Sequence, residues 1–286
     1  MAGSTWRALA VVAAGALVVA GVAVAANSAS FSDAAGDSGT APDVTGVAIA
    51  NDDAGNVTIK VTIGNRSTFT ETDGVGVGID ADQNPDTGMV FYGAEFEIDL
   101  EGSTVRFYRS DPDGLYQEAV APPSVHASFS GGVATFTFNP SELGVSSGFN
   151  VYALGYGSTF DLDPAPDIRA VNYQLVGGTK PPVLQPDNRA PLDIAFKSSG
   201  THGKVVALGY VAADGRGETS DAITIFKGKK VLKRINFPLA DTSPFYPYVA
   251  RWKVPKKTKG KLRFCVTSTD RAGNKSRQSC AALTIK

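Results

Sequence analysis

Apolar and polar residues alternate with a period of two along most of this chain. No stretch sustains the 3.6-residue apolar period of an amphipathic helix. In "NVTIKVTIGN", Val57, Ile59, Val61 and Ile63 fall on one face and Thr58, Lys60 and Thr62 on the other. In "EFEIDL", Phe96, Ile98 and Leu100 alternate against Glu95, Glu97 and Asp99. Successive side chains of a strand point to opposite faces, so each such run has one face that needs a core. "GVGVGI" is a strand of small residues. "STVRFYRS", "HASFSGGVATFTFNP" and "FNVYALGYGS" follow, with Gly131-Gly132 as a hairpin turn and "SELG" at 141–144 as one short helical turn. "KVVALGYVAAD", "DAITIFKG", "KKVLKRINF", "YVARWKV", "KLRFCVTSTD" and "SCAALTIK" repeat the pattern nearer the C-terminus. Short strands separated by turn residues build sandwiches or barrels, so the expected class is all-β.

The composition divides the chain. Residues 1–30 read as a secretory signal peptide: Arg7, then an apolar run from Ala8 to Ala26, then small residues at Ala23, Ala25 and Ala29 for cleavage. The run reaches the ~18 residues that can span a bilayer, so a signal-anchor at the outer face of the cytoplasmic membrane is the alternative. After signal removal no further membrane span is expected, and the protein is expected outside the cytoplasm. "VGGTKPPVLQPDNRAP", residues 176–191, holds four prolines and a glycine pair and reads as a linker. Charge changes sign there. Residues 31–178 carry 21 acidic and 5 basic residues, a net of −16; residues 179–286 carry 7 and 21, a net of +14. Such asymmetry suggests two domains with different partners, or two halves that attract each other.

Cys265 and Cys280 are the two cysteines and flank "DRAGN" symmetrically, which predicts a disulfide across two strands. The two histidines, His126 and His202, are far apart in sequence, which disfavours a zinc hydrolase or a Ser-His-Asp site. "KGKKVLKR" and "KVPKKTKGKLR" suit an anionic polymer, with solvated lysines at a sheet edge as the alternative. Nothing suggests sequence-specific nucleic-acid binding. Trp252 is expected in a core, and "SPFYPYVARW" is an aromatic loop near it.

"GIDADQNPDTG" concentrates the chemistry. Asp80, Asp82, Asn84 and Asp86 stand on every second position. Calcium takes six to eight oxygens at about 2.3–2.6 Å, and this spacing matches the first half of an EF-hand loop. Pro85 replaces the glycine of that motif and Phe91 its bidentate glutamate, so the expectation is a calcium loop between strands. A solvated turn favoured by Asp and Asn is the alternative. A second calcium site would gather Asp33, Asp37 and Asp43 with Asp161, Asp163 and Asp167 and tie the two ends of the acidic segment together.

Residues 31–175 resemble the DOMON-like, family-9 carbohydrate-binding-module-like sandwiches of secreted bacterial proteins. The resemblance lies in "DAAGDSGTAPDVTGVAIANDDAGNVTIKV", "VGIDADQNPDTG", "GAEFEIDL" and "FDLDPAPD". Residues 192–286, with "GKVVALGYVAADGRGETSDAITIFKGKKV", "WKVP" and "LRFCVTSTDRAGNKS", look like the bacterial immunoglobulin-like domains of secreted actinobacterial proteins. Together they imply two β-sandwich domains, the second immunoglobulin-like. The first resemblance implies a glycan or polysaccharide ligand. Family-9 modules grip sugar with tryptophan, and the acidic segment has none, so a clamp would use Tyr92, Tyr108, Tyr116 or Tyr156. The reading is a secreted, non-catalytic binding module stabilised by structural calcium. Its rivals are a surface-structural or adhesion protein with no small ligand, and a cryptic glycoside hydrolase using a carboxylate pair.

Overall fold

A computed structural model describes residues 27–89, 92–112, 114–159, 161–175 and 186–286. The leader through residue 26 and linker residues 176–185 lie outside the described residues. The acidic segment runs through β1 (Asn27–Ser32), β2 (Val44–Asn51), β3 (Val57–Ile63), β4 (Gly74–Asp80), β5 (Phe96–Glu101), β6 (Thr104–Ser110), β7 (Tyr116–Glu118), β8 (His126–Ser130), β9 (Val133–Phe138), β10 (Gly148–Tyr156), β11 (Leu162–Ala165) and β12 (Val171–Gln174). One sheet has the order β1-β2-β3-β9-β8; the other has β11-β10-β4-β5-β6-β7, with β12 also on β10. Val47, Ile49, Ile59 and Val61 of the first sheet share one buried cluster with Val75, Val77, Ile98 and Phe149 of the second. That makes a sandwich. The strand β1 begins at Asn27 and pairs with β2 along its length, so Asn27–Ser30, read as the end of the leader, belong to the sheet. Cleavage after Ala29 would remove half of that strand.

The alternation in β3 works as expected: Val57, Ile59, Val61 and Ile63 are buried. Gly131 and Gly132, at φ 58° and 79°, turn the β8–β9 hairpin, a type I′ geometry that suits glycine. "SELG" forms the end of a short 3-10 turn, Pro140–Leu143, capped by the Asn139 side chain and by left-handed Gly144. The strand β5 departs from simple alternation. Its polar residues Glu97 and Asp99 are buried too, 9% and 8% exposed. The glycines of β4 explain this. The Tyr156 ring lies over Gly74, the Asp99 carboxylate over Gly76 and the Tyr152 ring over Gly78. Without side chains the strand is a flat floor, and its neighbours fold down onto it and cover the outer face of the sheet.

The basic segment runs through β13 (Leu192–Ala195), β14 (Ser198–Gly200), β15 (Val205–Ala213), β16 (Glu218–Lys227), β17 (Lys230–Asn236), β18 (Ala240–Asp241), β19 (Tyr248–Lys253), β20 (Gly260–Asp270) and β21 (Ser279–Ile285). A sheet β13-β15-β19 faces a sheet β14-β21-β20-β16-β17, with β18 on β16. Leu208, Ile223, Trp252 and Phe264 meet in its core. Cys265 and Cys280 stand opposite each other in the β20–β21 register, 4.0 Å apart at Cα, and are bonded as a disulfide.

Two outcomes follow from this packing. Gly78→Ala pushes a methyl into the Tyr152 ring, and chemical denaturation is expected to show a loss of about 1–3 kcal/mol, as for other overpacked cores. The disulfide closes a loop of 15 residues. Its reduction is expected to cost the second sandwich about 3 kcal/mol and to leave the first transition in place, read by two-probe unfolding.

Candidate metal centre

Three groups of carboxylates lie close enough to share a cation. In each, one oxygen per residue falls within 4.8 Å of the others: Asp33, Asp37 and Asp163; Asp80, Asp82 and Glu95; Asp187, Asp214 and Asp270. Oxygens on opposite sides of a calcium ion lie about 4.6–5.2 Å apart, twice the metal–oxygen distance. The groups differ in what already satisfies their oxygens.

The turn after β4 satisfies itself. The Asn84 N–H donates to Asp80 Oδ1 and Asp82 Oδ1 at 3.0 and 2.9 Å. The Asn150 amide donates to Asp80 Oδ2 at 2.6 Å. The Thr87 hydroxyl donates to Asp82 and to Glu95 Oε1, and the Ala81 N–H donates to Glu95 Oε2. Burial and the neighbouring charges of Glu95 and Asp82 push Asp80 up to about 8. Burial and the charge of Asp82 push Glu95 up to about 7. Asn84 therefore acts as a backbone organiser, its own Oδ1 accepting from the Asp86 N–H at 3.2 Å. Asp86 leaves the group altogether. It takes two hydrogen bonds from the Arg216 guanidinium of the second sandwich, at 2.6 and 3.1 Å. Glu95, absent from the sequence reading, enters because the strand pairing sets its N–H on the Ile79 carbonyl, opposite the end of β4.

The chain-end group is different. Asp33 follows β1 and Asp163 lies in β11, and the sandwich brings them together with Asp37. Asp163 is wholly buried. One of its oxygens accepts from the Val44 N–H. Its Oδ1, and Asp33 Oδ2, are buried with no hydrogen-bond partner. Burial pushes Asp163 up to about 7, helped by the charges of Asp37, Asp33 and Asp43. Burial raises Asp33 to about 6, with Asp167 the foremost neighbouring charge, then Asp37 and Asp43. Asp43 is buried beside them and accepts from the Gly36 N–H at 2.8 Å. Asp161 is instead taken by the Thr40 hydroxyl and N–H, at 2.6 and 2.9 Å. Leaving a buried charged oxygen unpaired costs more than an ordinary hydrogen bond returns, so this group is the one that lacks a cation's worth of stabilisation.

The third group sits where the second sandwich meets the linker end. Here Arg216 reaches Asp187 at 3.5 Å, its N–H donates to Asp214 at 2.9 Å, and Asn274 donates twice to Asp270. A guanidinium already supplies the positive charge.

The four tyrosines do not form an open platform. Tyr92 is 1% exposed, packed edge-on against Tyr152 and Phe245, and its hydroxyl donates to the Asp167 carbonyl at 2.8 Å. Tyr156 lies on Gly74 and donates to Asp99 at 3.2 Å. Tyr116 packs into the same aromatic group, and Tyr108 stands beside it, ring centroids 6.2 Å apart. Beneath them Glu97 and Asp99 form a sealed pair. Burial first, then the charge of Asp99, holds Glu97 well above the usual range, so it keeps its proton and donates to the Asp99 carboxylate. Both carboxyls lie on one strand under a tyrosine roof, an arrangement with no room for a sugar between them.

No protein-family model matches this chain, and no curated protein matches it. Among solved structures, a PKD domain of a peptidase from a Thermoplasmatales archaeon is 14% identical, covering 35% of this chain and 98% of its own, with a TM-score of 0.28. Fibronectin(III)-like modules of Clostridium thermocellum CbhA are 12% identical over 81% of this chain and 85% of theirs, with a TM-score of 0.24. A tandem pair of titin Ig domains is 15% identical over 74% and 98%, with a TM-score of 0.25. Likenesses this distant carry no argument about family or activity; the fold rests on the strand order and the two cores.

The sealed pair makes a pH prediction. Glu97 binds its proton more tightly in the folded than in the unfolded chain. The stability this contributes is complete below the ordinary carboxylate range and is lost as pH rises from there through the folded value. Denaturation midpoints at pH 5 and pH 8 are expected to fall more steeply for the wild type than for Glu97→Gln. At pH 8 the variant is expected to be the more stable, by on the order of 1 kcal/mol. Parallel pH profiles would mean that Glu97 ionises without cost.

Proposed function

We propose that this chain is a secreted, non-catalytic interaction or surface-structural protein whose acidic sandwich is stabilised by calcium bound between Asp33, Asp37 and Asp163. The observation that carries this reading is the pair of buried, unpartnered oxygens, Asp163 Oδ1 and Asp33 Oδ2, facing a third carboxylate at calcium-compatible spacing. Asp43 and Asp167 add negative charge around the site, and hard oxygen donors without His or Cys suit calcium. Its role is mechanical. It replaces repulsion between the first and last strands of the sandwich with a shared cation.

The buried tyrosines favour the interaction or structural reading over a sugar clamp. For the basic sandwich, anionic polymers remain the matching partner class, because β17 presents Lys230, Lys233 and Arg234 to solvent along a sheet edge. That attraction is electrostatic and falls with salt.

Calcium at a hundredfold excess over its dissociation constant is expected to stabilise the protein by about 2.7 kcal/mol relative to chelator, read as a rise in melting temperature. Asp37→Ala, at an exposed position that tolerates substitution, is expected to remove most of that rise. Asp82→Ala is expected to lower the melting temperature with and without calcium, since it breaks the Thr87 and Asn84 hydrogen bonds, and to leave the calcium response in place. Equal melting temperatures in calcium and in chelator would refute the calcium reading.

A further inference from the structure

Asp163 ends up two steps away from the second sandwich. The loop between β11 and β12 carries Asp167, and two tyrosines hold it. Its carbonyl accepts from the Tyr92 hydroxyl at 2.8 Å. Its carboxylate accepts from the Tyr246 hydroxyl at 3.0 Å. Tyr246 belongs to the second sandwich, in the segment between β18 and β19. Next to it, Phe245 packs on Tyr92 and Tyr152, with ring centroids 5.7 and 5.8 Å away. Ser243 lies 3.4 Å from the Tyr92 hydroxyl. On the other side, Asp167 weighs on Asp33 more than any other charge does, and Asp163 and Asp37 act on the Tyr246 phenol. One loop therefore touches the carboxylate group with one face and the neighbouring sandwich with the other.

We propose that the Asp33, Asp37 and Asp163 cation site is shared between the two sandwiches, with Tyr246 holding Asp167 against it, so that calcium binding and docking of the second sandwich strengthen each other. This inference rests on the calcium reading above. With a cation in place, Asp167 lies beside a neutralised group and can keep its full charge where Tyr246 donates to it. Without one, Asp167 is pressed away from Asp33 by like charge, and the only direction open to it pulls on the Tyr246 contact. The same loop then carries Arg169, which reaches across to Asp241 at 2.9 Å, Glu218 at 3.2 Å and the Arg216 carbonyl at 3.1 Å. A small displacement of Asp167 is thereby passed to a set of contacts spanning the junction. Thermodynamic linkage requires the effect to run both ways: loosening the dock must weaken calcium.

The test uses the full-length mature protein and calcium alone. Calorimetric titration is run on the wild type, on Tyr246→Phe and on Asp37→Ala, with small-angle scattering of each in calcium and in chelator. Tyr246→Phe removes one hydroxyl from the other sandwich and no group that would touch the ion. It is expected to weaken calcium about fivefold, within the usual range of coupling between sites. Chelation is expected to increase the radius of gyration of the wild type, and Asp37→Ala is expected to show the expanded form in either buffer. Wild type and Tyr246→Phe binding calcium with equal affinity, while Asp37→Ala binds none, would overturn the coupling and leave the calcium site standing. No calcium binding by the wild type would overturn both.

Discussion

Carboxylates taken out of water repel one another, and the acidic sandwich is organised around four ways of relieving that repulsion. In the turn after β4, backbone N–H groups, Asn150 and the Thr87 hydroxyl answer the carboxylate oxygens. Under the tyrosine roof, Glu97 keeps its proton and gives a hydrogen bond to Asp99. Asp86 is answered by a guanidinium from the other half of the chain. At the chain ends, part of the demand is met by nothing in the protein itself. These solutions are not interchangeable. A proton or a local N–H relieves one site at a time, whereas a divalent cation can draw several carboxylates from distant strands into one place.

The charge asymmetry of the chain takes on a specific meaning in this light. The junction between the sandwiches is not a diffuse attraction of an acidic for a basic surface. Arg216 pairs with Asp86, Arg189 donates to the Thr87 and Gly88 carbonyls of the same turn, and Arg169 runs the opposite way, from the acidic half to Asp241 and Glu218. Because these contacts converge on the β4–β5 turn and the β11–β12 loop, the acidic turn serves as a docking element. The aromatic loop that carries Phe245 and Tyr246 closes the same junction from the second sandwich.

Much of this could be read directly from the chain. The all-β class, the Gly131-Gly132 hairpin, the 3-10 turn, the disulfide and the core position of Trp252 follow from local signals: a two-residue period, paired glycines, a capping asparagine, symmetric cysteines. Such signals act within a few residues and survive whatever the rest of the chain does. The regular spacing of Asp80, Asp82, Asn84 and Asp86 was equally visible, and it misleads for the same reason. Side-chain oxygens two residues apart are well placed to take the N–H groups of their own turn, so the motif that looks most like a metal loop can satisfy itself.

The chain-end group was legible as a list of acidic residues, but only tertiary structure could say which of them meet. Asp33 and Asp163 are joined by the closure of a sandwich, Asp161 turns away to Thr40, and Asp167 turns toward Tyr246. Burial of Glu97 and Asp99 was also decided there, because three glycines on a neighbouring strand let tyrosines lie flat across them. Sequence determines what each residue wants from its neighbours over a turn or a strand. Which wants stay unmet depends on partners more than a hundred residues away, and unmet wants are what make a site.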